Sequence, residues 1–128
     1  MSDKKIIEPK WLIEPENHDY PAAESYLNLI FGPYSKQSPQ LIVIALQKAP
    51  MTSFKAKDIF RASELSLLGI SKLHVKKNIK KIKNGIALSP LLLVRDRDFG
   101  KVIVADGYHR MCAVYQFNED VNIPCKIV

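Results

Sequence analysis

Cysteine is nearly missing: the 128 residues hold two, Cys112 and Cys125. Two thiols build no disulfide framework, and a zinc site needs more ligands in a tighter cluster than this sequence offers. Both are expected reduced and buried, Cys112 on a helix and Cys125 in a terminal strand, and no metal site is expected. No apolar run approaches the roughly 18 residues of a membrane span. The longest, LIVIAL at 41–46, suits a buried helix. The N-terminal MSDKKIIEPK has no apolar signal-peptide region after its lysines, so no membrane contact and a cytoplasmic location are expected. Internal repeats and low-complexity segments are absent as well. Acids are missing from one window: Lys72 to Lys83 holds six lysines and no Asp or Glu. The formal net charge is +6, so the chain outside that window is neutral. The basicity is a local patch, suited to nucleic acid or to an anionic ligand.

What is present reads as one globular domain over 1–128, with 47% hydrophobic and 25% charged residues. Residues 1–20 are irregular. Asp19 is placed to cap a helix over 22–31, with Pro21 just inside its start and Gly32-Pro33 at its end. Ala22, Tyr26, Leu29 and Ile30 form its expected inner side. Ser38 and Pro39 open a second helix over 40–49, apolar nearly all round and so expected to be buried. Over 54–69 the first half is helix-like and the second reads as a turn or short strand. HVKKNIKKIKN at 74–84 is a basic amphipathic helix, with Val75, Ile79, Ile82 and Ile86 at helical spacing. LSPLLLVR (88–95) and KVIVAD (101–106) are strands joined as a hairpin through Asp98 and Gly100. A helix over 108–117 carries Tyr108, Met111, Cys112 and Tyr115 on one stripe, and IPCKIV closes the chain as a strand. The order of elements predicts an α+β fold with a small sheet.

The most informative stretch is VIVADGYHRMCA at 102–113. An apolar strand ends in Asp106-Gly107, and a helix begins at once. Such a turn lets a ligand approach the backbone, and the first free N–H groups of the helix favour an anion. His109 adds a titratable group and Arg110 a permanent cation, about 100° apart around the helix. Asp106 has three open roles: holding His109 or Arg110 in place, coordinating a cation, or capping the helix. The bland reading is a plain turn followed by a surface histidine, with Tyr108 in an ordinary core stripe.

Gly107-Tyr108-His109-Arg110, with Ala113 behind it, resembles the Gly-x-His-Arg box of the ParB/sulfiredoxin fold. The helix at 75–84, Gly85 and LSPLLLV with Pro90 resemble that fold's helix–Gly–Pro–strand passage, and IPCKIV resembles its closing strand. The likeness covers about residues 65–128, and residues 1–64 stand as an extra helical N-terminal extension. The whole chain resembles small bacterial proteins carrying the same DGYHR box. The resemblance implies a small mixed sheet and a nucleotide phosphate held at the turn. By that resemblance Gly107, Tyr108, His109 and Arg110 contact phosphate, and Asp106, His109 and Arg110 carry any chemistry. Lys72 and Lys76 approach from the neighbouring helix. The implied ligands are ATP, ADP or CTP, with Mg²⁺ accompanying the phosphates.

Departures from the family narrow the chemistry. Tyr108 stands where a sulfiredoxin has its nucleophilic cysteine, so sulfiredoxin activity is not expected. ParB proteins carry Gly-Glu-Arg-Arg at the box, and Tyr108-His109 argue against a CTP-driven clamp. No helix-turn-helix reader is expected beyond Val128. A kinase needs a carboxylate base near its acceptor hydroxyl, for which Asp58, Glu64 and Asp106 are candidates. Three readings stay open. The first is a nucleotide-dependent phosphotransferase or NTP hydrolase. The second is a DNA-binding or nuclease module using the Lys72–Lys83 helix. The third is a non-catalytic interaction module with its partner on the N-terminal helices.

Overall fold

The run Leu91-Leu92-Leu93-Val94 is apolar without alternation, which marks a strand covered on both faces. The computed structural model describes residues 7–66 and 72–128. Its elements are α1 (Asp19–Phe31), α2 (Pro39–Lys48), β1 (Thr52–Lys55), α3 (Ala56–Ser63), α4 (Leu73–Lys83), β2 (Leu91–Asp96), β3 (Lys101–Asp106), α5 (Tyr108–Phe117) and β4 (Asn122–Ile127). The fold is α+β. One mixed sheet has the order β1-β4-β2-β3. β2 pairs antiparallel with β3 and parallel with β4, and β1 pairs antiparallel with β4.

Side chains of successive strand residues point to opposite faces, so the sheet has two cores. Leu91, Leu93 and Val104 pack with Val75, Ile82, Met111 and Val114, from α4 and α5. Leu92, Val94, Ile103 and Ala105 pack with Ala23, Leu27, Val43 and Leu46, from α1 and α2. The N-terminal helices therefore cover one face of the sheet. A four-stranded sheet with both faces buried needs both layers to stand.

Several sequence expectations are corrected. Residues 1–64 are not wholly helical, because Thr52–Lys55 is a strand. All four of its residues are exposed and its partner β4 lies about 70 positions away, as in Thr52 opposite Cys125, so no local pattern marks it. The first helix begins at Asp19, not after it, with His18 at the cap position. Its inner side is Asp19, Tyr20, Ala23 and Leu27, while Leu29 is 79% exposed. Two stripes compete on that helix, and counting apolar residues selects the wrong one because the right one contains a buried aspartate. α2 buries Val43 and Leu46 but leaves Leu41 67% exposed, since it is an outer layer and not a central helix. Ser38 caps α2 by accepting a hydrogen bond from the Leu41 amide, as the sequence indicated. Ile86 falls beyond the end of α4 and is half-exposed. The second half of 54–69 lies partly outside the described residues; the first half folds as β1 and α3.

Candidate functional site

β3 ends at Asp106, and Gly107 turns the chain directly into α5. Gly107 has φ 107° and ψ 14°, a backbone that side chains rarely adopt. A Cβ there would lie 2.7 Å from Leu91 Cγ and 2.9 Å from Arg110 Nη2. The residue is glycine for both reasons. With glycine at the cap, no side chain caps α5, so its first-turn N–H groups face outward without a side-chain acceptor.

α4 lies beside this turn. Val75 and Ile82 anchor it in the core shared with Met111 and Cys112. His74, Lys77, Asn78 and Lys81 follow at helical steps of three and four, so they share one face. That face and the Asp106–Arg110 turn line a cleft of about 280 Å³. Lys72 and Lys76, the lysines expected there, do not line it; Lys77 and Lys81 do. The offset is one of helix phase, since Lys76 is two residues from His74 and projects from another side. His74 was not singled out in the sequence. Its signal was its helical step to Lys77 and Lys81.

The His74 and His109 rings sit 4.9 Å apart at a tilt of 49°. His109 also contacts the Tyr108 ring at 5.6 Å. Partial burial, and then the charge of His74, push His109 below the usual histidine range. Tyr108 is half-buried, and its hydroxyl donates to the Ser66 carbonyl.

Arg110 turns inward. Its Nη2 donates to Asp106 Oδ2 at 2.7 Å, and the two side chains are only 17% and 16% exposed. Of the three roles open to Asp106, holding Arg110 is the one observed. Among the described residues, Arg110 Nε is the buried side-chain polar atom without a hydrogen-bond partner. Burial raises the Asp106 carboxyl, the Arg110 guanidinium opposes that, and Asp19 adds to it. Asp19 comes from α1 and is 2% exposed. Its Oδ2 accepts from Ser89 Oγ and, at 3.1 Å, from the Glu16 amide. His18 Nε2 lies 3.3 Å from its other oxygen. The sequence marked Asp19 only as a helix cap. Nothing local signals that its charge bears on Asp106, because α1 and β3 are brought together only by the fold.

Two of the three candidate bases lie elsewhere. Asp58 lines a different cavity, between α3 and the β2–β3 hairpin, and exposed Glu64 ends α3 in a left-handed conformation. Both cysteines are buried, and burial pushes the Cys125 thiol up to about 11, so it is no nucleophile near neutrality. Among the described residues, no three His, Cys, Asp or Glu side chains group to hold a metal ion. No helix among them is long and apolar enough to cross a membrane.

The chain matches no family model, no curated protein and no solved structure. What the cleft does must follow from its own side chains. Two larger cavities exist, of about 400 and 510 Å³. Size favours them, but chemistry favours the smaller cleft. Neither of the larger two contains a histidine; the first has Asp96 and Asp98 beside Lys101, and the second has Asp58, from the acidic first turn of α3, and Asp96 beside Arg95, Arg97 and Lys101.

Proposed function

We propose that the cleft between α4 and the start of α5 binds a phosphate chain, that of a nucleotide such as ATP, ADP or CTP. One observation carries this. The uncapped N-terminus of α5 and the side chains His74, Lys77, Lys81 and His109 converge on one small cleft, whose single carboxylate is already held by Arg110. Backbone N–H groups at a helix start and flexible ammonium groups are complementary to phosphate oxygens. At about 280 Å³ the cleft lies just below the usual range for whole small-molecule sites, roughly 300–1,000 Å³. It suits the phosphates, with the nucleoside projecting outward.

The matching chemistry is phosphoryl transfer to a hydroxyl, or NTP hydrolysis. Lys77, Lys81 and the α5 amides would offset charge on the transferring group. Asp106 would receive the proton of the attacking hydroxyl, and His109 would donate a hydrogen bond to a phosphate oxygen. Arg110 acts first as the counter-charge that keeps Asp106 in place. A fork onto phosphate would require it to leave that carboxylate. The donor set does not suit a dedicated Mg²⁺ site, because Mg²⁺ wants free carboxylate oxygens and the one carboxylate is occupied.

The test is calorimetric titration of ATP into the wild-type chain and into a Lys77→Ala/Lys81→Ala variant. Both lysines are exposed, so the fold should be untouched. Affinity is expected to fall at least tenfold, about 1.4 kcal/mol. Equal affinities would remove the cleft as the phosphate site.

The histidines give a pH dependence. His109 is held low in the free protein and so is mostly neutral at pH 7. A bound anion favours its protonated form, so binding takes up protons and tightens as pH falls. Sulfate, whose own charge is constant in this range, is expected to bind more tightly at pH 6 than at pH 8, by up to about tenfold per proton per pH unit. Calorimetry at the two values checks it, and a flat profile would count against His109 as a ligand.

A second reading concerns the other side of the molecule. Leu29 and Ile30 on α1 and Leu41 and Ile44 on α2 are exposed, although the two helices are largely apolar. Exposed apolar side chains on adjoining helices suit a protein partner. Leu29→Glu/Leu41→Glu should then abolish any self-association seen by light scattering and leave ATP binding unchanged.

A further inference from the structure

Most of the lysines in the acid-free window take no part in the phosphate cleft. Lys77 and Lys81 line it, whereas Lys72, Lys76, Lys80 and Lys83 do not. At about 100° per residue, Lys76, Lys80 and Lys83 fall within about 60° of one another on α4, and Lys72 stands at its N-cap. All four are exposed. Val75 and Ile82 hold the opposite side of the helix in the core. Lys10 adds a further cation from the N-terminal segment. Its Nζ would lie 3.6 Å from a Cβ on Gly85, which places the ammonium where α4 ends. The Leu88 amide holds that segment by donating to the Lys10 carbonyl at 2.7 Å.

The protein does not neutralise this face. Among the described residues, no carboxylate forms an ion pair with any of these lysines, whereas Lys57 pairs with Asp120 at 2.6 Å. Lys76 and Lys80 are one helical turn apart, as are Lys77 and Lys81, and like charges at that spacing oppose the helix. A bound polyanion removes that repulsion. Nucleic acids and anionic bilayers both present such charge. A helix that lies on a bilayer sinks an apolar face among the acyl chains. The apolar stripe of α4 is already packed in the core, and the exposed Leu73 and Ile86 stand at opposite ends of the helix, too far apart to form such a face. Bare charge along a rigid rod suits the phosphodiester backbone, which in duplex DNA carries one charge per about 1.7 Å. A single strand is held by stacking its bases on aromatic rings, and α4 contains no Phe, Tyr or Trp.

We propose that the outer lysine face of α4, continued by Lys10, binds the backbone of duplex DNA without regard to sequence. Lysine ammonium groups act as point charges on phosphate, and phosphate contacts carry no sequence information. Binding is driven by the counterions that the phosphates release, so it weakens steeply with salt. The surface goes beyond the nucleotide reading of the cleft and does not depend on it: both use α4, through different lysines.

The experiment is fluorescence anisotropy of a labelled random-sequence DNA duplex, titrated with the full chain between about 50 and about 200 mM salt. Four or five phosphate contacts predict a slope of about −4 in log affinity against log salt, roughly a two-hundredfold loss across that range. In Lys76→Ala/Lys80→Ala/Lys83→Ala the slope is expected to shrink by about 3, one for each lysine. All three side chains are exposed and alanine favours helix, so this variant keeps the fold. Lys36→Ala/Lys48→Ala/Lys55→Ala removes the same charge from exposed positions elsewhere, and its slope is expected to match the wild type. No anisotropy change at the lower salt would overturn the proposal. So would a slope unmoved in the α4 variant, or equal losses in the two triple variants, which would show net charge alone at work. Phosphatidylserine vesicles form the second arm: binding to them as tight as to the duplex would assign the face to lipid and overturn the proposal too. Any of these failures leaves the Lys77/Lys81 titration with ATP standing, and failure of that titration leaves the duplex measurement standing.

Discussion

Gly107→Ala is expected to destabilise the protein by about 2–6 kcal/mol. Two effects add. A non-glycine residue at φ 107° carries backbone strain of about 1–3 kcal/mol. The new Cβ would also lie 2.7 Å from Leu91 Cγ and 2.9 Å from Arg110 Nη2, inside contact distance. Leu91 is fully buried in the central strand and has nowhere to go, so overpacking adds about 1–3 kcal/mol. Gly100→Ala is the control: its φ is 64°, with nothing within 4 Å of the added Cβ, so only the left-handed backbone term of about 1–2 kcal/mol applies. Urea denaturation of the two variants measures the difference. Equal losses would mean that the turn relaxes freely and that the close approach of Gly107 to β2 has no energetic weight. Any shift of the turn would also move the α5 amides, so phosphate affinity should fall in Gly107→Ala and hold in Gly100→Ala.

Arg110→Ala is expected to cost about 3 kcal/mol of stability, so it is a poor probe of ligand binding alone. Breaking a buried ion pair from one side leaves the other charge alone, typically at about 3–5 kcal/mol, and the partial exposure of this pair places it at the lower end. Asp106 is the group stranded. Its carboxyl is already raised by burial, and without the guanidinium it rises further. A carboxyl with a raised folded value is favourable to folding below its unfolded value, and that contribution is lost as pH rises through the folded value. The deficit of Arg110→Ala should therefore be largest near pH 8 and shrink toward pH 4, where Asp106 is protonated. Arg110→Ala/Asp106→Asn should recover part of the loss at pH 8, because no charge is left buried. Chemical denaturation at the two pH values decides this. A deficit independent of pH would show that the pair contributes packing and not charge balance.

The parts of the fold written in local pattern were legible. The unbroken apolar run of β2, the Asp98–Gly100 turn and the apolar steps of α4 each follow from a neighbour-to-neighbour rule. So did the glycine at 107, where a strand pattern meets a helix pattern. β1 was not legible, because an exposed four-residue edge strand gains its identity from pairing with β4. The inner face of α1 was misread because it includes Asp19, a buried carboxylate that Ser89 and the Glu16 amide hydrogen-bond. The lysines were read correctly as a patch, but their phase was not: which two face the cleft depends on how Val75 and Ile82 seat α4 against α5. Arg110 was read as a ligand for phosphate, and in the structure its guanidinium pairs with Asp106. Sequence spacing alone shows that Asp106 and Arg110 are four apart. It does not show that the arginine turns under the helix.

The most direct measurement is an amide NMR map of the full chain titrated with tripolyphosphate. Saturable shifts are expected at Gly107, Tyr108, His109 and Arg110, with companions at His74, Lys77 and Lys81 and none at Arg95, Arg97 or Lys101 around the larger cavity. Shifts confined to that larger cavity, or none at the DGYHR turn at millimolar ligand, would contradict the assignment of this cleft as a phosphate site.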